Sequence, residues 1–140
     1  MKRLFILLPF AFLLFACTPT PEAPKEASPE TLASGLKVYT DNCATCHQVD
    51  GTGVATMQPA LVNDDIVAGD PTQLIRVVLQ GPAAVLPPGR PKYSNTMPPF
   101  RQLTDQQIAD ALTYIRHDYG HQASVIDAPQ VQTIRAEFGP

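Results

Sequence analysis

The chain has 140 residues, 44% of them hydrophobic, and a formal net charge of −3. That length leaves room for one modest domain, and less once the ends are set aside. The mildly acidic balance argues against nucleic acid as a partner.

Lys2 and Arg3 precede an apolar run from Leu4 to Ala16, broken once by Pro9. A charged start and a short apolar run are the pattern of an export signal, and a membrane-spanning helix takes ~20 residues. Residues 1–16 are therefore expected to be cleaved. Leu14-Phe15-Ala16-Cys17 resembles the lipobox of bacterial lipoproteins, in which the cysteine becomes the lipidated first residue. Phe15 is bulkier than the residue usual there, and an ordinary signal with a stray thiol is the alternative. Leu14 fits the small-residue rule of ordinary signal sites poorly, so Cys17 is expected to carry lipid. Several acyl chains together anchor stably where one does not. Such a protein sits on the periplasmic side of a bacterial membrane. Thr18 replaces the Asp that commonly retains lipoproteins at the inner membrane, which points toward the outer one. Without Lys2 and Arg3, eight basic residues face thirteen acidic ones, a net charge of −5. From Thr18 to Pro29 the chain holds four prolines among Ala, Glu, Thr and Ser, the composition of an extended linker.

Ser28 followed by Pro29 predicts a helix start, and Leu32, Leu36 and Tyr39 recur near helical spacing to about Asn42. Next comes Cys43-Ala44-Thr45-Cys46-His47, whose two thiols and imidazole are what covalent haem attachment needs. Each thiol adds across a vinyl group, and the adjacent His47 falls under the iron as an axial ligand. A zinc site wants about four protein ligands, and beyond this cluster only Cys17, His117 and His121 remain. A thioredoxin-like centre is expected among alternating strands and helices, which this chain lacks.

Gln48 to Asp70 reads as a long loop with at most a turn of helix. Asp70-Pro71-Thr72-Gln73 opens a short apolar helix stopped by Gly81-Pro82, and Gly81 to Phe100 is proline-rich and irregular. Thr104-Asp105-Gln106-Gln107 is a capping box leading Ile108, Leu112 and Ile115 along one face to Gly120. A short helix near Pro129 carries Val131 and Ile134. No segment alternates as a strand does, so the class is all-α, with domain limits at 30–120 and an extension at 121–140.

The iron's sixth position favours Met97, on the Asn95-Thr96-Met97-Pro98-Pro99-Phe100 loop, since thioether sulfur raises the potential. Met57 is too near His47 to reach the other face. His117 and His121 are rival ligands, although His117 ends a helix whose apolar face lies elsewhere. Arg90, Lys92 and Arg101 flank the Met97 loop and read as solvated charges, with steering of an acidic partner as the alternative.

These residues together resemble the class I cytochrome c family. Its pattern is filled here by Gly35 and Tyr39, Cys43 to His47, Pro59-Ala60-Leu61, Met97-Pro98, and Leu112-Thr113-Tyr114. The resemblance implies three to five helices around one covalent haem c, and a carrier of electrons rather than an enzyme. It also implies that Gly35 permits a close helix crossing where Tyr39 and Tyr114 pack, and that Pro59 supports His47. Leu61, Leu74, Val78, Tyr93, Phe100 and Leu112 are then expected in the haem pocket. Gln48, standing where many members have Gly, is read as a mild departure. The run from Tyr114 to Arg135 is similar to cytochrome domains of periplasmic oxidoreductases, such as alcohol dehydrogenase subunits and copper nitrite reductase fusions. A periplasmic dehydrogenase, reductase or oxidase is the implied partner. The alternative is a haem subunit of an enzyme, or a ligand-binding haem protein with an open sixth site.

Overall fold

The computed structural model describes residues 26–121 and 123–139. The expected signal at 1–16, Cys17 and the linker up to residue 25 lie outside the described residues. Among the described residues seven helices follow in chain order: α1 (Pro29–Asn42), α2 (Ala44–His47), α3 (Asp65–Ala68), α4 (Pro71–Gln80), α5 (Pro82–Val85), α6 (Asp105–Asp118) and α7 (Ala128–Ala136). Of these, α2, α3 and α5 are single turns of four residues. Among the described residues the only β-type pairing is an isolated bridge between Val54 and Gln58, so the fold is all-α. None of the described helices is long and apolar enough to cross a membrane.

Local chemistry sets the starts of the longer helices. Ser28 Oγ accepts from Thr31 N at 3.1 Å, Asp70 Oδ1 from Thr72 N at 2.9 Å, and each helix has its proline in the first turn, where a missing N–H costs nothing. Thr104 and Gln107 exchange reciprocal bonds of 2.9 and 3.2 Å at the head of α6, and Asp127 and Gln130 do the same before α7. Each such cap stabilises its helix by about 0.5–2 kcal/mol.

Helices α1 and α6 cross at Gly35. A Cβ there would overlap the Asp110 carbonyl oxygen and lie 2.6 Å from Tyr114 Cβ, so only glycine permits the approach. The crossing turns Gly35, Val38 and Tyr39 inward, while Leu36, which the spacing assigns to the buried face, is 42% exposed. Tyr39, Tyr114 and Tyr119 pack their rings together behind the crossing, with centroids 5.5–5.7 Å apart.

The chain beyond α6 is part of the same core. Val131 and Ile134 of α7 join the cluster that holds Tyr39, Leu79 and Ile108. Thr113 Oγ1 donates to Ile126 O at 3.0 Å and accepts from Ile126 N at 2.9 Å. The buried Arg116 guanidinium donates to Val67 O (2.7 Å), Gly69 O (3.0 Å) and Ser124 O (2.9 Å), pinning the end of α3 to the tail. Arg135 reaches Asp105 Oδ1 at 2.6 Å and the carbonyls of Arg101 and Leu103 at 2.9 and 2.7 Å, which ties α7 to the turn before α6.

Candidate functional site

A cavity of about 470 Å³ opens in the middle of the helices, within the ~300–1,000 Å³ range of small-molecule sites. The pentad forms one corner of it. Cys43 N donates to Tyr39 O at 2.8 Å and ends α1; Cys46 N and His47 N then both donate to Cys43 O, at 3.1 and 2.9 Å. This single turn makes Cys43 and His47 walls of the cavity, whereas Cys46 is exposed and is not a wall residue. Neither Cys43 nor Cys46 is tied up in a disulfide, which leaves both sulfurs for thioether bonds. Burial pushes the Cys43 thiol up to about 11, so the site disfavours charged sulfur.

His47 is buried, and its Nδ1 stands 3.0 Å from Pro59 O. A carbonyl can only accept, so Nδ1 carries the proton and Nε2 is left with a free lone pair. Burial lowers the His47 pKa, against the Pro59 bond and the charge of Asp64, which keeps the ring neutral and fit to ligate. The Pro59 carbonyl comes close because of Gly53, at φ +66°, where a Cβ would overlap it.

Met97 also lines the cavity. Its loop is tied down on both flanks: Ser94 N and Asn95 N donate to Thr56 O and Met57 O at 2.9 and 3.2 Å, and Phe100 N donates to Val78 O at 2.8 Å. Gly81, at φ +83°, lets Met97 O approach the end of α4. Pro59, Leu61, Leu74, Val78, Tyr93, Phe100 and Leu112 are all wall residues. The region from Gly81 to Phe100, read as irregular, contributes one helical turn, α5, whose Pro82 and Ala83 add to the wall.

The rival ligands lie elsewhere. Met57 is 42% exposed and is not a wall residue, and His117 is exposed at the end of α6. His121 is buried outside the cavity, with Nε2 donating to Leu61 O at 2.8 Å. Two of the three basic residues read as solvated have partners: Arg90 stands 3.7 Å from Asp64, and Arg101 Nε donates to Leu79 O at 3.0 Å. Asp64, which the sequence reading did not single out, caps α3 through Oδ1 and so serves both helix and rim.

A haem fits these residues. The apolar walls suit a flat macrocycle, and His47 Nε2 and the Met97 thioether suit its iron. Arg90 and Lys92, the two cations among the wall residues, suit its anionic propionates.

The cytochrome c family model matches residues 32–118, more than half of the chain. The cytochrome c subunit of a quinone-type alcohol dehydrogenase from Gluconobacter oxydans is 39% identical over 111 residues, 76% of this chain and 23% of the subunit. The gluconate 2-dehydrogenase cytochrome c subunit of Pantoea cypripedii is 37% identical over 108 residues, 74% of this chain and 24% of that protein. The chain thus spans about a quarter of the length of these dehydrogenase subunits. Cytochrome c-552 of Thermus thermophilus is 33% identical over 114 residues, 75% of this chain and 86% of its own length.

Proposed function

The chain belongs to the cytochrome c family and carries a single covalent haem c, and from that premise we propose a tethered periplasmic electron carrier serving an oxidoreductase. Cys43 and Cys46 would form the two thioethers, and His47 and Met97 would hold the iron. The observation that supports this best is that a ring-fixed neutral His47 and a Met97 on a doubly anchored loop line the same apolar cavity as Cys43.

The bound haem supplies a one-electron couple. His47 keeps its proton on Nδ1, held by Pro59 O, and presents Nε2. Met97 supplies thioether sulfur, which raises the potential relative to a second imidazole. Leu74, Val78 and Leu112 exclude water, and the rigid loop leaves the ligands little room to move as the charge changes. Arg90 and Lys92 offset the propionate charge.

The same reading assigns residues 1–16 as a removed signal, Cys17 as the lipidated residue and the proline-rich stretch as a spacer, with the outer membrane as the anchoring surface. The spacer's reach, ~37 Å for twelve residues at ~3.1 Å each, lets the domain turn toward a partner. Kinship to cytochrome subunits of alcohol and gluconate dehydrogenases favours a dehydrogenase as that partner.

The test is the visible spectrum of the oxidised holoprotein. A weak long-wavelength band reports sulfur on iron, and Met97→Ala is expected to abolish it. Survival of the band in Met97→Ala would move the ligand to another sulfur. Absence of the band from the native protein, with ready binding of carbon monoxide, would favour an open sixth site. For the anchor, Cys17→Ser is expected to move the protein from the membrane fraction to the soluble one.

A further inference from the structure

His121 is a buried imidazole that does not line the cavity, yet it is joined to the axial site by a short route. The route is Pro59-Ala60-Leu61. At one end Pro59 O accepts from His47 Nδ1 at 3.0 Å; at the other, Leu61 O accepts from His121 Nε2 at 2.8 Å. Because the Leu61 carbonyl can only accept, His121 must carry its proton on Nε2.

Before the segment, Gln58 exchanges backbone bonds of 2.9 and 3.1 Å with Val54, which holds its start but not the Pro59 carbonyl itself. Pro59 has no N–H, so nothing in its own backbone can fix it by donating. Leu61 N donates to Gly51 O at 2.7 Å, which holds the far end along one direction. Gly53 lets the Pro59 carbonyl come close but adds no attractive contact of its own. Among the described residues, His47 and His121 are the two side chains hydrogen-bonded to the carbonyls of this segment. His121 is itself 7% exposed and sits just past Tyr119, whose hydroxyl donates to Val49 O at 2.9 Å. The end of α6 and the start of the tail thus grip the loop that follows His47 at two points, Val49 and Leu61.

We propose that His121 is a positioning residue for the axial histidine: by fixing the Leu61 carbonyl it keeps the Pro59 carbonyl on His47 Nδ1–H. This rests on the assignment of His47 as an iron ligand. An acceptor on the far nitrogen raises the basicity of a ligating imidazole, and a more basic ligand favours the oxidised iron. His121 therefore lowers the reduction potential without touching the haem.

Two variants of the holoprotein test this. His121→Phe keeps the buried ring but has no donor; His121→Gln keeps a donor that can reach Leu61 O. In His121→Phe, exchange of the His47 Nδ1–H proton, followed by NMR of the reduced protein, is expected to quicken about five- to tenfold, the cost of one ordinary hydrogen bond. The potential should rise, with the sulfur-to-iron band retained. His121→Gln should return both readings toward the native values. If His121→Phe leaves exchange and potential unchanged while the melting temperature falls, His121 only packs and the proposal is wrong. A separate variant, His47→Ala, is expected to lose the low-spin spectrum. Retention of that spectrum would remove His47 as the ligand and overturn the inference from beneath, whatever the His121 variants do.

Discussion

Gln48 sits at φ 64° and ψ 158°, a region that glycine enters freely and other residues occupy at a cost of about 1–3 kcal/mol. It is the residue directly after His47, so the strain falls where the pentad leaves its turn. Three bonds hold it there: Tyr39 Oη donates to Gln48 O at 2.5 Å, Gly51 N donates to the same oxygen at 3.2 Å, and Tyr119 Oη donates to Val49 O at 2.9 Å. Burial pushes the Tyr39 phenol up to about 12, so it remains a neutral donor well above neutral pH. The departure from glycine, mild when read as a letter, is a strained backbone position directly beside the site. Gln48→Gly should release that strain while adding about 0.5–1 kcal/mol of chain entropy to the unfolded state. The net expectation is a gain of about 1 kcal/mol, or roughly 4–8 °C in melting temperature for a domain of this size. Thermal melting of the holoprotein checks it; a variant no more stable than the native chain would mean that the tyrosine bonds already remove the strain.

At the scale of the helix the governing contact is the crossing of α1 and α6, where a methyl group has no space. Gly35→Ala must push against backbone, the Asp110 carbonyl, and against Tyr114 Cβ at 2.6 Å. Neither can rotate away as a long side chain can. Overpacking of this kind costs about 1–3 kcal/mol, and the upper end is expected here; denaturant unfolding of the holo variant measures it. That crossing also explains what was legible in the sequence. Caps were legible because their partners lie within four residues: Ser28 with Thr31, Asp70 with Thr72, Thr104 with Gln107. Leu61, Leu74, Val78 and Phe100, expected in the pocket from the family resemblance, all line the cavity: Leu61 and Phe100 from proline-bearing loops, Leu74 and Val78 from the apolar helix α4. What failed depended on partners far along the chain. Helical spacing puts Leu36 inside, but the rotation of α1 is set by Asp110 and Tyr114, more than 70 residues on, and leaves it 42% exposed. Arg101 and Arg90 are exposed, as read, but nothing local announces their partners, Leu79 O and Asp64. His121, weighed as a rival ligand and set behind Met97, has an acceptor that nothing local announces, since Leu61 O is 60 residues away.

The molecule as a whole is built around its cavity. Leu74, Ile108, Leu112 and Ile115 belong to the hydrophobic core and are also cavity walls, so the core is a shell around the haem site. Measured costs of core cavities run near 24 cal/mol per Å³. For about 470 Å³ that amounts to ~11 kcal/mol, as large as the entire stability of an ordinary domain, ~5–15 kcal/mol. The figure is an upper limit, because the cavity is open to solvent on one side and its proline-rich rim can settle inward. Even half of it would erase most of the stability that caps and helix crossings supply. The tail does not change this, since Val131 and Arg135 brace the outside of α4 and α6 rather than fill the space between them. The chain lacking haem, made as the Cys43→Ala, Cys46→Ala double variant, is therefore expected to lose most of its helical circular dichroism and its cooperative melting. The holoprotein should melt in a single transition that includes α7, because Arg135 couples that helix to Asp105 and the Arg101–Leu103 turn. A sharp melting transition of the double variant close to that of the holoprotein would show that the helices close on themselves, and that the haem is a passenger in a fold that stands without it.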